Sequence, residues 1–223
     1  MPSSHPLLSS LYKASESYTV RRYSKGETIF CEGDNDQKVY VLIQGLVVAY
    51  RTTPNGQQRI LQFFVPEDIY GNIILADGIV HTMTTEAASD VVNVEILKQE
   101  LRALSSQNPD LLWYLYEDLA RKLRHVSNMI EASCLTAEQR IARAIAELCL
   151  QFGYRTDSTL ELRIDMTQED LARYAGTTRV TVAKTLSRLV ANGILQTRPK
   201  PWRILDINAL LDQTGTMRRS SSR

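Results

Sequence analysis

Cysteine is scarce in this chain, and its three cysteines are far apart. Cys31, Cys134 and Cys149 form no Cys-x-x-Cys pair and have no histidine at the spacing of a zinc site. Structural zinc sites and disulfide frameworks depend on more closely organised cysteines, so both are disfavoured. The three thiols are expected to be small buried or half-buried residues, and no metal site is predicted.

Long apolar runs and catalytic motifs are also missing. No hydrophobic segment approaches the roughly 20 residues that cross a bilayer, and residues 1–5 do not open a signal peptide, so a cytoplasmic location is expected. The chain has no Gly-x-Ser-x-Gly elbow, phosphate-binding loop or His-Glu-x-x-His pair. The sequence therefore predicts a protein that is not an enzyme.

The charge is balanced overall but uneven along the chain. The formal net charge is +1, yet residues 137–223 carry 14 lysines and arginines against 9 acidic residues, a net of +5. The remainder carries −4. A basic C-terminal third predicts contact with an anion, for which nucleic acid is the main candidate.

The first hundred residues predict short strands joined by turns. Short strand-like segments at 27–30, 39–43, 46–50 and 60–64 are separated by turn-forming segments, including Pro-Asn-Gly at 54–56. Such spacing is typical of a small β-barrel or β-roll.

A long helix is predicted next, because residues 110–133 contain neither glycine nor proline. Apolar side chains recur there at spacings of four and three, as in helices that pack against a like partner. The predicted dimer seam consists of Leu112, Tyr116, Leu119, Leu123, Val126 and Ile130. Packing on its own domain is the alternative. Residues 137–152 predict a second helix, 154–159 a polar loop and 160–164 a strand.

A helix-turn-helix is predicted over residues 167–192. Thr167 and Asp170 have the spacing of a capping box, and Gly176 ends the first helix. Thr177 or Thr178 caps the second helix, which runs from Arg179 to about residue 191. Two short helices joined by a glycine-containing turn form this motif.

The second helix has the residues expected of a DNA-reading element. Arg179, Val180 and Lys184 are predicted to point outward, with Arg179 suited to guanine and Val180 to a thymine methyl group. The segment 194–206 predicts a β-hairpin wing with a basic tip. The predicted DNA-binding residues are Thr167, Gln168, Thr178, Arg179, Val180, Thr181, Lys184, Ser187, Arg188 and Lys200. An unrelated solvated helical hairpin with a basic face is the alternative.

These motifs, in this order, resemble the cyclic-AMP receptor protein/FNR superfamily over almost the whole chain. Residues 23–34, YSKGETIFCEGD, resemble the entry to that family's β-roll, and Gly71 stands where its Gly-Glu-Leu segment begins. Residues 176–182, GTTRVTV, resemble the recognition helix of the cyanobacterial nitrogen-control regulators.

The resemblance implies an α+β fold in three parts. These are an N-terminal β-roll of the cyclic-nucleotide-binding jelly-roll type (1–108), a long dimerisation helix (109–136) and a C-terminal winged helix-turn-helix (137–223). It further implies a signal-responsive homodimeric transcription regulator that binds a pseudo-palindromic double-stranded DNA operator. Residues 153–159 would contact RNA polymerase, and the protein would act as an activator or a repressor.

The resemblance disfavours cyclic AMP as the effector. Members that bind it use a glutamate for the ribose and an Arg-Ser pair for the phosphate, where this chain has Asn72 and His81-Thr82. Without the guanidinium the bidentate anion clamp is lost. Any small-molecule effector is expected near Gly71, Asn72, His81, Thr82 and Ser127.

The residues of this chain give little support to the family's other types of sensor, and the cofactor stays unknown. An iron–sulfur cluster of the FNR type needs four cysteines, and this chain has three. Haem is disfavoured because lone histidines such as His5, His81 and His125 are more often ordinary surface residues. A thiol switch at Cys31 or Cys134 stays open, as does 2-oxoglutarate at Arg121, Lys122, Arg124 and Glu131. The alternative functions are a cyclic-nucleotide-binding module that docks protein, and a haem or redox sensor variant of the family.

Overall fold

The computed structural model describes residues 18–76, 78–156, 159–162 and 164–215. The chain divides into two compact units, Met1–His125 and Val126–Arg223, and the long helix contributes residues to both. Among the described residues, no helix combines the length and apolarity needed to cross a membrane.

The first unit is built from eight described strands followed by helices. Its elements are β1 (Thr19–Tyr23), β2 (Thr28–Phe30), β3 (Lys38–Gln44), β4 (Val47–Thr52), β5 (Gln58–Phe64), β6 (Ile69–Tyr70), a 3₁₀ turn (Asn72–Leu75), β7 (Thr84–Ala87), β8 (Val91–Leu97), α1 (Lys98–Gln107) and α2 (Pro109–Ser133). The strands form two four-stranded antiparallel sheets, in the orders β1-β8-β3-β6 and β2-β7-β4-β5. The predicted β-roll is confirmed.

Strand β3 shows how the sequence divides this unit into two cores. Side chains alternate across a strand, so Val39 and Val41 lie on one face of the sheet and Tyr40 and Leu42 on the other. The valines pack with β8, α1 and the first turns of α2, in a core that includes Leu101 and Leu111. The second core lies between the two sheets and contains Phe30, Tyr40, Leu42, Phe64 and Tyr70.

The second unit places helices beside a small sheet. After the end of α2 its elements are α3 (Ala137–Phe152), β9 (Gly153–Arg155), β10 (Leu160–Leu162), α4 (Gln168–Ala175), α5 (Arg179–Ala191), β11 (Leu195–Gln196), β12 (Arg203–Ile204) and α6 (Ile207–Asp212). The sheet has the order β11-β12-β10-β9. Helix α3 is capped by Thr136, whose hydroxyl accepts from the Gln139 backbone amide, and it buries Ile141 and Ile145.

Both predicted long helices and the helix-turn-helix are confirmed, but three smaller expectations were wrong. Tyr154 and Arg155 are not in a loop: they belong to β9, which pairs with β10, and β10 ends at Leu162 rather than at 164. Strands of three residues are too short to show a period, so only their hairpin pairing identifies them. Cys31 and Cys134 are exposed rather than buried, and only Cys149 is in the core.

Candidate nucleic-acid interface

Helix α4 begins at a capping box. The Asp170 amide donates to the Thr167 hydroxyl at 3.1 Å, and the Thr167 amide donates back to the Asp170 carboxylate at 3.1 Å. These bonds satisfy amides that have no partner within the helix. Thr167 therefore fixes the start of α4, the role that its sequence position predicts.

The turn between α4 and α5 depends on Gly176. Its φ of 62° and ψ of 53° lie in the left-handed region, which glycine enters without steric cost. The Thr177 amide then donates to the Ala172 carbonyl at 3.0 Å, which closes the end of α4. Helix α5 starts two residues later, where the Thr178 hydroxyl accepts from the Thr181 amide at 3.2 Å.

Arg140 of α3 connects this turn, through hydrogen bonds, to the segment between α2 and α3. Its Nε donates to the Ala175 carbonyl at 2.9 Å, and its Nη2 to the Gly176 carbonyl at 3.0 Å. Its Nη1 donates to the Leu135 carbonyl at 2.8 Å. One guanidinium thus bonds to the last carbonyl of α4, to that of the Gly176 cap and to that of Leu135 before α3. Sequence reasoning did not find this residue.

Helix α5 has two faces with opposite character. Val182, Leu186 and Leu189 are spaced by four and three and are buried against the unit's core. Val180, Lys184 and Ser187 have the same spacing two residues earlier, so they share the opposite face, and all three are exposed. Val180 is 65% exposed, so its apolar side chain is available for contact from outside the unit.

The N-terminal end of α5 completes this outward face. Arg179 is exposed at the first turn, and Thr181 is half-buried beside it. Gln168 is half-buried at the start of α4, and Thr167 and Thr178 are exposed there and at the cap of α5. Unpaired backbone amides at helix starts also favour phosphate. The arrangement offers an exposed guanidinium, ammonium and apolar side chain flanked by hydroxyls and amides.

Two of the predicted DNA-binding residues have partners within the protein. The Arg188 guanidinium lies 2.7 Å from the Glu138 carboxylate and 3.2 Å from the Gln213 side-chain oxygen. Lys200, at the tip of the wing, pairs with Asp165. Both pairs are exposed, so they are weak and can be exchanged for phosphate contacts.

The predicted wing is a short β-hairpin of β11 and β12. Leu195 pairs with Ile204, and the side chains of both are buried at its base. Arg203 at its base is paired with Glu161 at 2.7 Å. Arg198 is exposed beside the tip and adds a cation that the predicted residue set omitted.

An exposed apolar stripe runs along α2. All six residues of the predicted seam are between 50% and 69% exposed, at Leu112, Tyr116, Leu119, Leu123, Val126 and Ile130. Trp113 extends the stripe, since its ring lies 5.3 Å from that of Tyr116. Contiguous exposed apolar stripes are typical of protein–protein contacts.

The residues predicted to hold an effector differ in burial and in their protein contacts. His81 is buried rather than a surface residue, with its ring stacked 3.8 Å from Phe30. Asn72 is hydrogen-bonded to Asp118 and Lys122 of α2, and Thr82 is exposed. Ser127 is exposed and belongs to the other compact unit.

Four of the residues weighed for other sensors, His125, Arg121, Lys122 and Glu131, have protein partners. His125 Nε2 lies 2.8 Å from the Leu61 carbonyl oxygen, while His5 is outside the described residues. Lys122 and Arg121 both pair with Asp118, and Glu131 pairs with Arg143. Burial raises the pKa of Cys149 to about 12, which opposes its reaction as a thiolate.

Two family models match this chain. The model of the cyclic nucleotide-binding domain matches residues 20–108, and that of the Crp-like helix-turn-helix domain matches residues 139–213. Together they cover most of the chain, in the same order as the two compact units.

Curated relatives and solved structures agree with these matches. The chain is 28% identical over 189 residues to a CRP-like cAMP-activated global transcriptional regulator of Mycobacterium tuberculosis, covering 84% of each chain. It is 29% identical over 195 residues to the fumarate and nitrate reduction regulatory protein of Escherichia coli, covering 87% of this chain and 78% of that one.

The structure of FixK2 from Bradyrhizobium japonicum superposes with a TM-score of 0.77 at 25% identity, covering 89% of this chain and 98% of that one. That of a CooA mutant from Carboxydothermus hydrogenoformans superposes with a TM-score of 0.78 at 19% identity, covering 91% and 90%, and shows likeness of fold. These findings do not favour a protein-docking module or a haem or redox sensor. The chain belongs to the CRP/FNR family of transcription regulators, which bind DNA through a helix-turn-helix.

Proposed function

We propose that the chain acts as a homodimer that binds a pseudo-palindromic operator with one α5 helix in the major groove of each half-site. The observation that carries this proposal is the outward face of α5, where Val180, Lys184 and Ser187 are exposed on a firmly capped helix. Dimers with this motif place their reading helices about 34–36 Å apart, one turn of DNA. The exposed stripe on α2 supplies the proposed dimer seam.

Individual side chains have distinct proposed roles. Arg179 reads guanine, Val180 contacts a thymine methyl group, and Lys184 reaches a base or a phosphate. Thr167, Gln168, Thr178, Thr181, Ser187, Arg188 and Lys200 are proposed phosphate contacts, joined by Arg198 of the wing. The likeness of residues 176–182 to nitrogen-control regulators supports a half-site of their kind.

The proposed regulator works in the cytoplasm with RNA polymerase as a partner. The described part of the 153–159 segment exposes Tyr154 and Arg155 in β9, which supports a role as a protein contact. Binding would recruit or block polymerase, according to where the operator lies.

Replacing Arg179 with alanine tests the reading role. We expect a loss of about 1–3 kcal/mol in binding to the operator, with binding to random DNA almost unchanged, because a base contact is lost. The operator is first found by sequencing protein-protected genomic fragments. Fluorescence anisotropy then measures the ratio of the affinities for operator and random DNA.

Arg155→Ala is the matched control for this test. It removes the same charge from the same unit but from β9 rather than from α5, so the ratio of the two affinities should not change. An equal loss on operator and random DNA in Arg179→Ala would refute base reading by Arg179.

Val180→Glu is expected to change which half-site is preferred. A carboxylate at this position can accept from the cytosine amino group, whereas valine offers only apolar contact. Selection from a randomised half-site should show a new preference for a C·G pair, with discrimination of about 1–3 kcal/mol. An unchanged base preference would place Val180 outside the base-reading set. Val190→Glu, exposed at the other end of α5, is the control.

A further inference from the structure

The interior of the β-roll is filled by the chain's own rings where the family resemblance puts a ligand. The ring of Phe30 lies 3.8 Å from the His81 imidazole and 5.2 Å from Tyr40, and the stack continues through Tyr70 to Phe64 at 5.3 and 4.8 Å. Phe30 is 4% exposed, and Tyr40 and His81 are each 1% exposed. If the roll held a nucleotide-sized cavity, water would reach the rings that line it and their exposed fractions would be larger. The low exposed fractions therefore indicate a packed interior.

A carboxylate of the chain takes the place of an anionic ligand beside His81. The Asp36 carboxylate lies 2.9 Å from His81 Nε2, and it accepts from the Tyr40 hydroxyl and from the Lys38 amide. Burial alone would raise the pKa of Asp36, but these hydrogen bonds outweigh it and lower the pKa. The ionised carboxylate would repel the phosphate of a cyclic nucleotide.

Gly71 serves this internal packing. Its φ is 73°, and a Cβ there would lie 3.0 Å from a ring carbon of Tyr40 and 3.2 Å from one of His81. The glycine therefore allows the backbone to approach the chain's own stack.

The segment that would hold a ribose is joined to the long helix by protein contacts. The Asn72 amide donates to the Asp118 carboxylate at 2.9 Å, and the Lys122 ammonium donates to Asn72 Oδ1 at 2.8 Å and to the Ile69 carbonyl at 2.7 Å. Burial lowers the pKa of Lys122, although the nearby Asp118 opposes the shift. Both polar atoms of the Asn72 side chain are thus already bonded to α2 within this arrangement.

We infer that this β-roll does not take a cyclic nucleotide, and that the chain binds its operator with no small molecule in the roll. Packing between the sheets and the hydrogen bonds to α2 provide, within the chain, the stabilising contacts that a bound ligand would otherwise provide. The inference rests on the proposed function, since operator binding is its readout.

The test uses the full-length protein, shown by native mass spectrometry to carry no small molecule. Operator affinity is measured by anisotropy alone and with about 1 mM cyclic AMP or cyclic GMP, and thermal midpoints are recorded in parallel. A ligand at about 100 times its Kd raises the midpoint by several degrees. We expect specific binding without addition, an affinity unchanged within about twofold by either nucleotide, and an unchanged midpoint.

The outcomes separate this inference from the proposed function. Specific binding that begins only when a nucleotide or the small-molecule fraction of a cell extract is added would overturn the inference and leave the proposed function standing. A nucleotide-dependent rise in the midpoint would also overturn it. Failure to select any DNA sequence under all conditions would instead contradict the proposed function.

Discussion

Leu123→Glu is expected to convert the dimer into monomers and to weaken binding to a two-half-site operator by about 100-fold or more. Leu123 is 69% exposed on α2 in the middle of the apolar stripe. In a two-fold dimer the two copies face each other, so the substitution removes apolar contact and brings two buried carboxylates together. A monomer also loses the effective concentration that couples the two half-sites, which is worth 10²–10⁴.

Light scattering after size exclusion measures the mass, and anisotropy on DNAs with one and two half-sites measures the affinity. The variant should match the parent on a single half-site, because α5 is untouched. Leu150→Glu is the matched control: this leucine of α3 is 67% exposed but lies off the stripe, so both mass and affinity should be unchanged. A Leu123→Glu protein that stays dimeric would contradict the seam.

The structural features that could be predicted from the sequence depend on residues that are close together in the chain. Thr167 caps through Asp170 three residues on, Gly176 turns the chain at a single position, and the spacing of four and three separates the faces of α5. Helix starts, glycine turns and helical periods are set by neighbouring residues, so a sequence shows them directly.

What could not be predicted depends on contacts between distant positions. His81 is buried by Phe30 and bonded to Asp36, 45 residues away, which no property of the segment 79–83 indicates. Arg188 pairs with Glu138, 50 residues away, although its place on α5 made it a natural DNA contact. The partner of a polar side chain depends on which groups the fold brings near it, and the same arginine suits a phosphate or a carboxylate equally well.

Arg140 is the clearest case of a residue whose importance appears only in the structure, and Arg140→Gln is expected to have a large effect. Its three hydrogen bonds join a charged donor to the carbonyls of Leu135, Ala175 and Gly176. Bonds of this kind are worth about 1.5–3 kcal/mol each where burial is complete, so for this half-buried residue we expect a total loss of about 3 kcal/mol in the free energy of unfolding. Urea denaturation of the full chain measures it, followed by tryptophan fluorescence in a Trp113→Phe background that leaves Trp202 as the single tryptophan.

Operator binding should show that Arg140 positions α5 as well as stabilising the unit. The parent protein is expected to lose affinity steeply when one base pair is inserted between the half-sites, whereas Arg140→Gln, with a looser turn, should depend less on spacing. Arg140→Lys keeps the charge but cannot reach three carbonyls, so it should lie between the two. Arg188→Gln is the stability control, since its exposed pair with Glu138 is worth less than about 1 kcal/mol. If Arg140→Gln costs no more than Arg188→Gln and keeps the parent's dependence on spacing, then the capping residues and the apolar contacts between α4 and α5 hold the reading helix without it.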